Sequence, residues 1–414
     1  MTKPRIAVIG GGPAGLIAAG QAAEAGGETI LLEKMNRCGR KLCITGKGRC
    51  NITNVANVAD FIDHFGTKGR FLRQAFSRFF TPELMGFFEE RGLALITERG
   101  GRVFPASGKA SDVLHVLLKW LRQCGVGIKY SSRVDDLLTG NGRIAGVVCR
   151  GGRISCDAVI LATGGASYPA TGSTGDGYRL AESVGHSIVP IRPALVPLET
   201  LGDAAKEMAG LTLRNVVVQL LVNGRKGKKA FGEMTFAAFG VTGPVILTVS
   251  GAAVDALRAG DAVALSIDLK PALDEKKLDA RLLRDFSSRS REGFSSLLRG
   301  LLPAEMVPVC LRFTGIAPDR TAGIVTAAER RRLRAWLKDF RLEVTGHRPF
   351  TEAIITAGGV NSGEIDPRTM ESRRTKGLFI AGELLDVHAD TGGYNLQAAF
   401  STGWVAGRSA VRGV

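Results

Sequence analysis

Arg5 to Lys34 reads RIAVIGGGPAGLIAAGQAAEAGGETILLEK, and this stretch decides the fold. Arg5–Ile9 is a short apolar run that ends in glycine, as a buried parallel strand does. Ala14 to Ala25 is Ala-rich with helical spacing, and Gly26 and Gly27 close it. Thr29 to Glu33 is a second apolar strand ending in an acid. The result is a β-α-β unit with Gly10-x-Gly12-x-x-Gly15 at its first turn. In that turn Gly10 permits the bend, Gly12 lets the backbone approach a pyrophosphate, and Gly15 lets helix and strand pack closely. The helix start adds unpaired N–H groups and partial positive charge, with Pro13 at the first helical position. Glu33 is placed to accept hydrogen bonds from ribose hydroxyls, and Lys34 follows it. The fold class expected is α/β: a Rossmann-like dinucleotide-binding domain.

Composition sets the outer bounds. The chain has 414 residues, enough for two or three domains, and 45% are apolar. No apolar run reaches the roughly 20 residues needed to span a bilayer, so no membrane partner is expected. The basic start, Lys3 and Arg5, imitates a signal peptide, but the glycine cluster reads better as a nucleotide turn. The cytoplasm is therefore the expected location. Seven cysteines, no CxxC pair and no His beside the first three cysteines speak against a disulfide framework and a structural zinc site; no metal is expected. A net charge of +16 favours anionic ligands, anionic substrates or nucleic acid without choosing among them.

After the β-α-β unit comes GRKLCITGKGRCNITN, Gly39 to Asn54, with four cations, two cysteines and no acid. Phe61 to Gly92 reads as helical, with Thr81 as a cap and Pro82 as first helical residue. A further helix carries Val113, Leu114, Leu117, Leu118 and Leu121 on one face, with Ser111 as cap and Trp120 in the core. Val126 to Ala162 reads as consecutive short strands, the last running into Thr163-Gly164-Gly165. Such an ending lets the backbone pass close to a second part of a ligand. Asp176 to Gly185 reads as a helix.

The character changes near Arg192, where three prolines mark a linker. Two stretches of a smaller β unit follow, then a mostly helical region. Between Lys270 and Glu343 there are 16 cations and 10 acids, best explained as solvated helix faces. Glycine-broken strands resume from about Phe350. The expected domains are 1–191, the first part of the nucleotide-binding domain; 192–345, an insert whose helical part covers about 270–342; and 346–414, the closing part.

That closing part points to a flavin. Gly377 to Ala381 is an apolar strand ending in Gly382-Glu383, Asp386 and His388 follow, and Thr391-Gly392-Gly393-Tyr394-Asn395 opens an Ala-rich helix. A plain nicotinamide dehydrogenase has no need of it. Reduction of an isoalloxazine puts negative charge near N1 and O2, which a helix N-terminus stabilises by about 2 kcal/mol in a partly buried site. His388 is the one His expected near such a site, as a structural hydrogen-bonding residue rather than a proton donor.

Four stretches together resemble the BaiN/YhiN-like flavoproteins, the NAD(P)/FAD-dependent oxidoreductases: VIGGGPAGLIAA, GRKLCITGKGRCNITN, ILATGGASYPATGSTGDGY, and AGGVNSGEIDPRTMES leading into LFIAGELLDVHADTGGYNLQAAFSTG. The resemblance implies a glutathione-reductase-like FAD domain interrupted by an inserted β-barrel and helical unit. It implies that Gly10, Gly12 and Ala14 line the pyrophosphate, Glu33 the adenosine ribose, and Val134 the adenine through its backbone. Thr163 and Gly164 would follow the dinucleotide, Gly382 and Glu383 the ribityl chain, and Gly393 and Asn395 the flavin ring. Arg40 and Lys41 suit FAD phosphates and ribityl oxygens, whereas Lys47 and Arg49 could face a substrate anion. Pro13, Lys34, Ala162, Asp386, Gly392, Tyr394 and Gln397 complete the expected cofactor set.

Two departures from the family stand out. Its usual Thr-His before Phe-Gly is Ala237-Ala238 here, and Cys38 and Cys43 are not expected. Three functions follow in order. The first is an FAD-dependent oxidoreductase acting on a small substrate, an anionic one among the candidates; no second GxGxxG marks a dedicated nicotinamide domain, so either NAD(P)H docks transiently at the flavin or dioxygen is the oxidant. The second is a nucleic-acid-binding flavoprotein of the tRNA-modifying type, not favoured because basic residues and aromatics do not interleave. The third is a disulfide reductase using Cys38 and Cys43. Catalytic residues, substrate and oligomeric state stay open.

Overall fold

The computed structural model describes residues 3–413. It forms two compact units: the chain up to Pro193 together with the chain from Phe350 onward, and Ala194–Pro349.

The first unit is built on a five-stranded parallel sheet. Its order is Leu378–Ile380, Ala158–Leu161, Arg5–Ile9, Glu28–Leu32, Gly127–Lys129. The central strand is registered Val8 to Ile160 on one side and Val8 to Leu31 on the other. Ile6 to Ile9 are buried, as strands covered on both faces require. The first helix, Pro13–Glu24, and the last helix, Tyr394–Arg412, pack against one another. Glycine allows the approach. A Cβ on Gly403 would lie 2.3 Å from the Ala14 oxygen, and one on Gly407 would lie 2.4 Å from the Ala18 oxygen. Residues near the two ends of the chain thus share one core.

Two three-stranded antiparallel sheets flank this core: Val134–Gly140, Arg143–Cys149, Gly152–Ser155 in one, and Thr53–Asn54, Arg102–Pro105, Leu95–Glu98 in the other. Trp120 is buried, with its indole N–H donating to Glu24 at 2.8 Å. Two helix starts differ from expectation. The helix Ala110–Gln123 begins behind Lys109 rather than at Ser111. In Thr81–Glu89 the Phe80 N–H is bonded by Glu83, and the Thr81 hydroxyl donates instead to the Asn54 carbonyl.

In the second unit six strands close into a barrel in the order Leu198–Thr200, Gly240–Thr242, Arg225–Ala237, Thr212–Val222, Val263–Asp268, Phe340–His347. Alternate residues fill it, among them Val218, Leu220, Leu265 and Ile267. Helices Glu275–Ser288, Phe294–Leu298, Met306–Thr314 and Ala327–Lys338 lie between its last two strands in sequence. The helix Pro244–Arg258 is not predicted by the sequence reading, since its β-branched start imitates a strand. Pro244 at its first turn and buried Val245, Val249 and Ala253 at i, i+4, i+8 explain it. The unit leaves and re-enters at neighbouring points: Leu198 pairs with His347, and the Arg348 N–H donates to the Pro197 carbonyl at 3.0 Å.

Candidate functional site

The first turn distinguishes one glycine from its neighbours. A Cβ on Gly10 would lie 2.5 Å from the Ala162 oxygen, one on Gly11 2.4 Å from the Cys38 sulfur, and one on Gly15 1.8 Å from the Gly10 oxygen. The fold itself therefore requires those three. A Cβ on Gly12 would meet nothing within 4 Å, and its backbone is extended. Gly12 caps the first helix, whose first internal bond runs from Leu16 N–H to Gly12 oxygen at 2.9 Å. Open space therefore lies beside a helix start with unpaired N–H groups, the surroundings a diphosphate needs.

Glu33 is buried, and its carboxylate accepts the N–H groups of Gly11 and Met35, each at 2.7 Å. Both oxygens are oriented, and each keeps a lone pair for a further donor. Lys34 pairs with Asp176 at 2.8 Å, and Arg133 reaches the same carboxylate at 3.4 Å. Burial opposes ionisation of Asp176, but the Lys34 bond and charge, with Arg133, hold its carboxyl below the usual range. Val134 is buried at the start of its strand.

The short helix Arg40–Ile44 is tied to the first turn by the Gly39 N–H, which donates to the Gly11 carbonyl at 2.8 Å. It carries half-buried Arg40 and delivers Lys41 to Glu383 at 2.9 Å and to the Ser167 hydroxyl. Glu383 also accepts the Thr356 N–H at 2.8 Å. Four distant segments meet there. Gly382 packs on Ala14, and the Ala162 N–H donates to the Ile9 carbonyl at 2.9 Å. The buried hydroxyls of Thr163 and Tyr178 have no partner. Burial, then the charges of Glu383 and Asp386, push the Tyr178 phenol well above its ordinary range.

At the start of the last helix, Asn395 accepts the Ala389 N–H at 2.8 Å and donates to the Ala389 and Asp390 carbonyls. Its side chain thus shapes the loop. Asp386 pairs with Lys68 at 2.8 Å. Tyr394 stacks on His64 with ring centroids 3.8 Å apart and meets the Phe61 edge at 4.7 Å. His64 Nδ1 is 3.4 Å from Asp390. Asn54 donates to the Gly392 carbonyl at 3.1 Å. The expectation of one nearby histidine is corrected: His64 joins His388. Gln397 also differs from expectation. It is fully buried, with its amide bonded to Thr53 at 2.6 Å and Ser401 at 2.9 Å, so its side chain holds the core. His64, Lys68, Ser167 and Thr356 were missed. His64, Lys68 and Ser167 reach their partners across well over a hundred residues and Thr356 reaches Glu383 across 27, and no local motif marks them.

All seven cysteines are free, so Cys38 and Cys43 form no disulfide. Burial, then the Glu33 charge, pushes the Cys38 thiol up to about 12, which leaves it a poor nucleophile.

The model of the HI0933-like protein Rossmann domain matches residues 4–409. The chain belongs to the HI0933-like family. It is 34% identical over 410 residues, 98% of either chain, to the 3-dehydro-bile acid delta(4,6)-reductase of Clostridium scindens. It is 27% identical to the ribosomal RNA dihydrouridine synthase of Escherichia coli, over 98% of this chain and 97% of the relative. Among solved structures, a flavocytochrome c3 fumarate reductase shares the fold with a TM-score of 0.53 at 19% identity, over 99% of this chain and 78% of the other. The 3-ketosteroid delta1-dehydrogenase of Sterolibacterium denitrificans shares it with a TM-score of 0.52 at 12% identity, over all of both chains. This HI0933-like chain is an enzyme of the FAD-dependent oxidoreductase class.

Proposed function

We propose that the chain reduces a carbon–carbon double bond conjugated to a carbonyl. The names of the two relatives differ in substrate but share a bond change. A 3-oxo steroid with Δ4,6 unsaturation and a uridine base both carry a double bond running out from a carbonyl. The observation that carries the reading is the meeting of the first and last helices, with Gly382 packed against Ala14 and space left beside Gly12.

In this reading Gly12, Ala14 and the first-helix amides face the diphosphate of FAD, Glu33 takes the ribose, and the Val134 backbone takes adenine. Thr163, Gly164 and the Lys41–Glu383 pair line the chain toward the flavin ring. Bound there, FAD would supply hydride transfer from a transiently docked NAD(P)H to the carbon β to the carbonyl. The last helix, capped by Gly393, presents its positive end to the developing negative charge. Burial first, then the charges of Asp390 and Asp60, raise the Tyr394 phenol, so it stays protonated at neutral pH. It stands in the first turn of the last helix, and in this reading its hydroxyl protonates the carbon α to the carbonyl.

The test is a visible spectrum followed by anaerobic titration. NADPH or NADH should bleach the flavin bands, and a 3-oxo-Δ4 steroid or a uridine-containing RNA should restore them. Tyr394→Phe should slow the restoring step by about 10²-fold or more and leave bleaching unchanged. Colourless protein that takes up no FAD would end the reading.

A further inference from the structure

The second unit holds a cavity of about 260 Å³. Three separate segments line it, all within Ala194–Pro349. One is the start of the strand Thr212–Val222, one the turn after Val263–Asp268, and one the approach to the helix Met306–Thr314. Leu269, Leu302 and Met306 form a buried apolar wall. Arg214, Asn215 and Lys270 supply polar groups, and no acid lines the cavity. The first strand is deformed where it meets this space. Leu213 pairs with Met234 and Val216 with Gly232, so Arg214 and Asn215 together oppose the single residue Glu233. Such a bulge takes side chains out of the regular alternation and re-aims them. Both bulged residues are exposed and both line the cavity, whereas Glu233 does not.

Lys270 is fixed through its backbone. Its N–H donates to one Asp268 oxygen at 2.9 Å, and its carbonyl accepts from the Lys338 ammonium at 3.2 Å. Lys338 also pairs with the other Asp268 oxygen at 2.6 Å, so the acid nearest in sequence is already neutralised. Arg281, whose charge acts on Lys270, has its own acid in Asp285 at 3.6 Å. Among the described residues neither Lys270 nor Arg214 pairs with a carboxylate. Burial first, then the Arg281 charge, hold the Lys270 ammonium below the usual lysine range, as befits a cation without a counter-charge.

We propose that this cavity binds a small organic anion, a carboxylate with a compact apolar body, the carboxylate held by Lys270 and Arg214 and the body packed on Leu269, Leu302 and Met306. Two cations from different segments, neither with an acid of its own, suit one carboxylate. A bare inorganic anion would leave the apolar wall unused, and an uncharged apolar ligand would leave both cations unpaired. The volume lies just under the roughly 300 Å³ at which drug-sized ligands begin, so the occupant is small. No lining residue belongs to the proposed FAD site, so the two readings stand or fall separately.

The test is isothermal titration calorimetry of the purified full chain with phenylacetate, and with phenylacetamide and inorganic phosphate in parallel. Phenylacetate should bind with a Kd of about 1 mM or tighter. Phenylacetamide, which lacks the charge, and phosphate, which lacks the apolar body, should each bind about tenfold or more weakly. Lys270→Met, which keeps the bulk of the stem, and Arg214→Ala should each weaken phenylacetate about tenfold. Arg225 is exposed and lies beside Val222 at the other end of the strand, roughly 20 Å away. Arg225→Ala should therefore change affinity less than about twofold. A second readout needs no variant. Acetic anhydride should acetylate Lys270 in the free chain, and saturating phenylacetate should block it while exposed Lys276 is labelled in both, as peptide mass spectrometry would show. The proposal is overturned if phenylacetate does not bind, if phenylacetamide or phosphate binds as tightly, or if labelling of Lys270 is unchanged by phenylacetate. It is equally overturned if the Lys270 and Arg214 variants keep full affinity, or if the Arg225 variant loses as much as they do.

Discussion

Gly12 and Gly15 look equivalent in the fingerprint but differ in what they touch. A methyl group at Gly12 enters open space, and its backbone angles suit any residue. Gly12→Ala should therefore leave the melting temperature of FAD-free protein unchanged and cut FAD affinity about tenfold or more, about 1.4 kcal/mol. Gly15→Ala should lower that melting temperature, because its Cβ would lie 1.8 Å from the Gly10 oxygen. Calorimetry with and without FAD separates the two. Gly10, Gly12, Gly15 and Glu33 were legible in sequence because their spacing is local. The reason for Gly11 was not, since it is the Cys38 sulfur arriving from the next loop. The same packing buries the Cys38 thiol. Iodoacetamide at mildly alkaline pH should spare it while the protein is folded, as mass spectrometry of tryptic peptides would show.

Between elements, small residues and one carboxylate cluster do most of the joining. Gly407→Leu would drive a side chain into the Ala18 carbonyl, so it should cost about 1–3 kcal/mol in denaturant unfolding. Glu364 accepts from Ser187 N–H at 3.0 Å, Ser187 hydroxyl at 2.8 Å and Arg374 at 2.7 Å, and lies 3.0 Å from His186. Burial works against its charge, but these partners hold its pKa down from 4.5 to about 2. Its contribution is complete above pH 4.5 and is lost as pH falls toward about 2. Burial also lowers the pKa of His186 from 6.5, so its neutral form favours the fold, and that stability begins to fall below pH 6.5. Glu364→Gln should cost about 1–3 kcal/mol at neutral pH and flatten the acid side of a stability profile. The β-α-β elements were readable because strand, turn and helix are contiguous. These junctions were not, because residues 187, 364 and 374 meet only once the sheet has formed.

At the scale of the whole chain, Ala194–Pro349 has its own apolar core around Phe236, Phe294 and Phe340. Expressed alone, this segment should unfold cooperatively by circular dichroism; a broad, sloping melt would show that it depends on the rest. The changes of texture near Arg192 and Phe350 are visible in the sequence. The barrel's closure is not, because it pairs Leu198 with His347 across about 150 residues of chain. That pairing has an evolutionary consequence. A segment whose two ends emerge side by side imposes nothing on the strand order of its host. It can be lengthened, recharged or exchanged by recombination without shifting the register of any parallel strand. Lineages that share this nucleotide-binding half are therefore free to diverge in the grafted one.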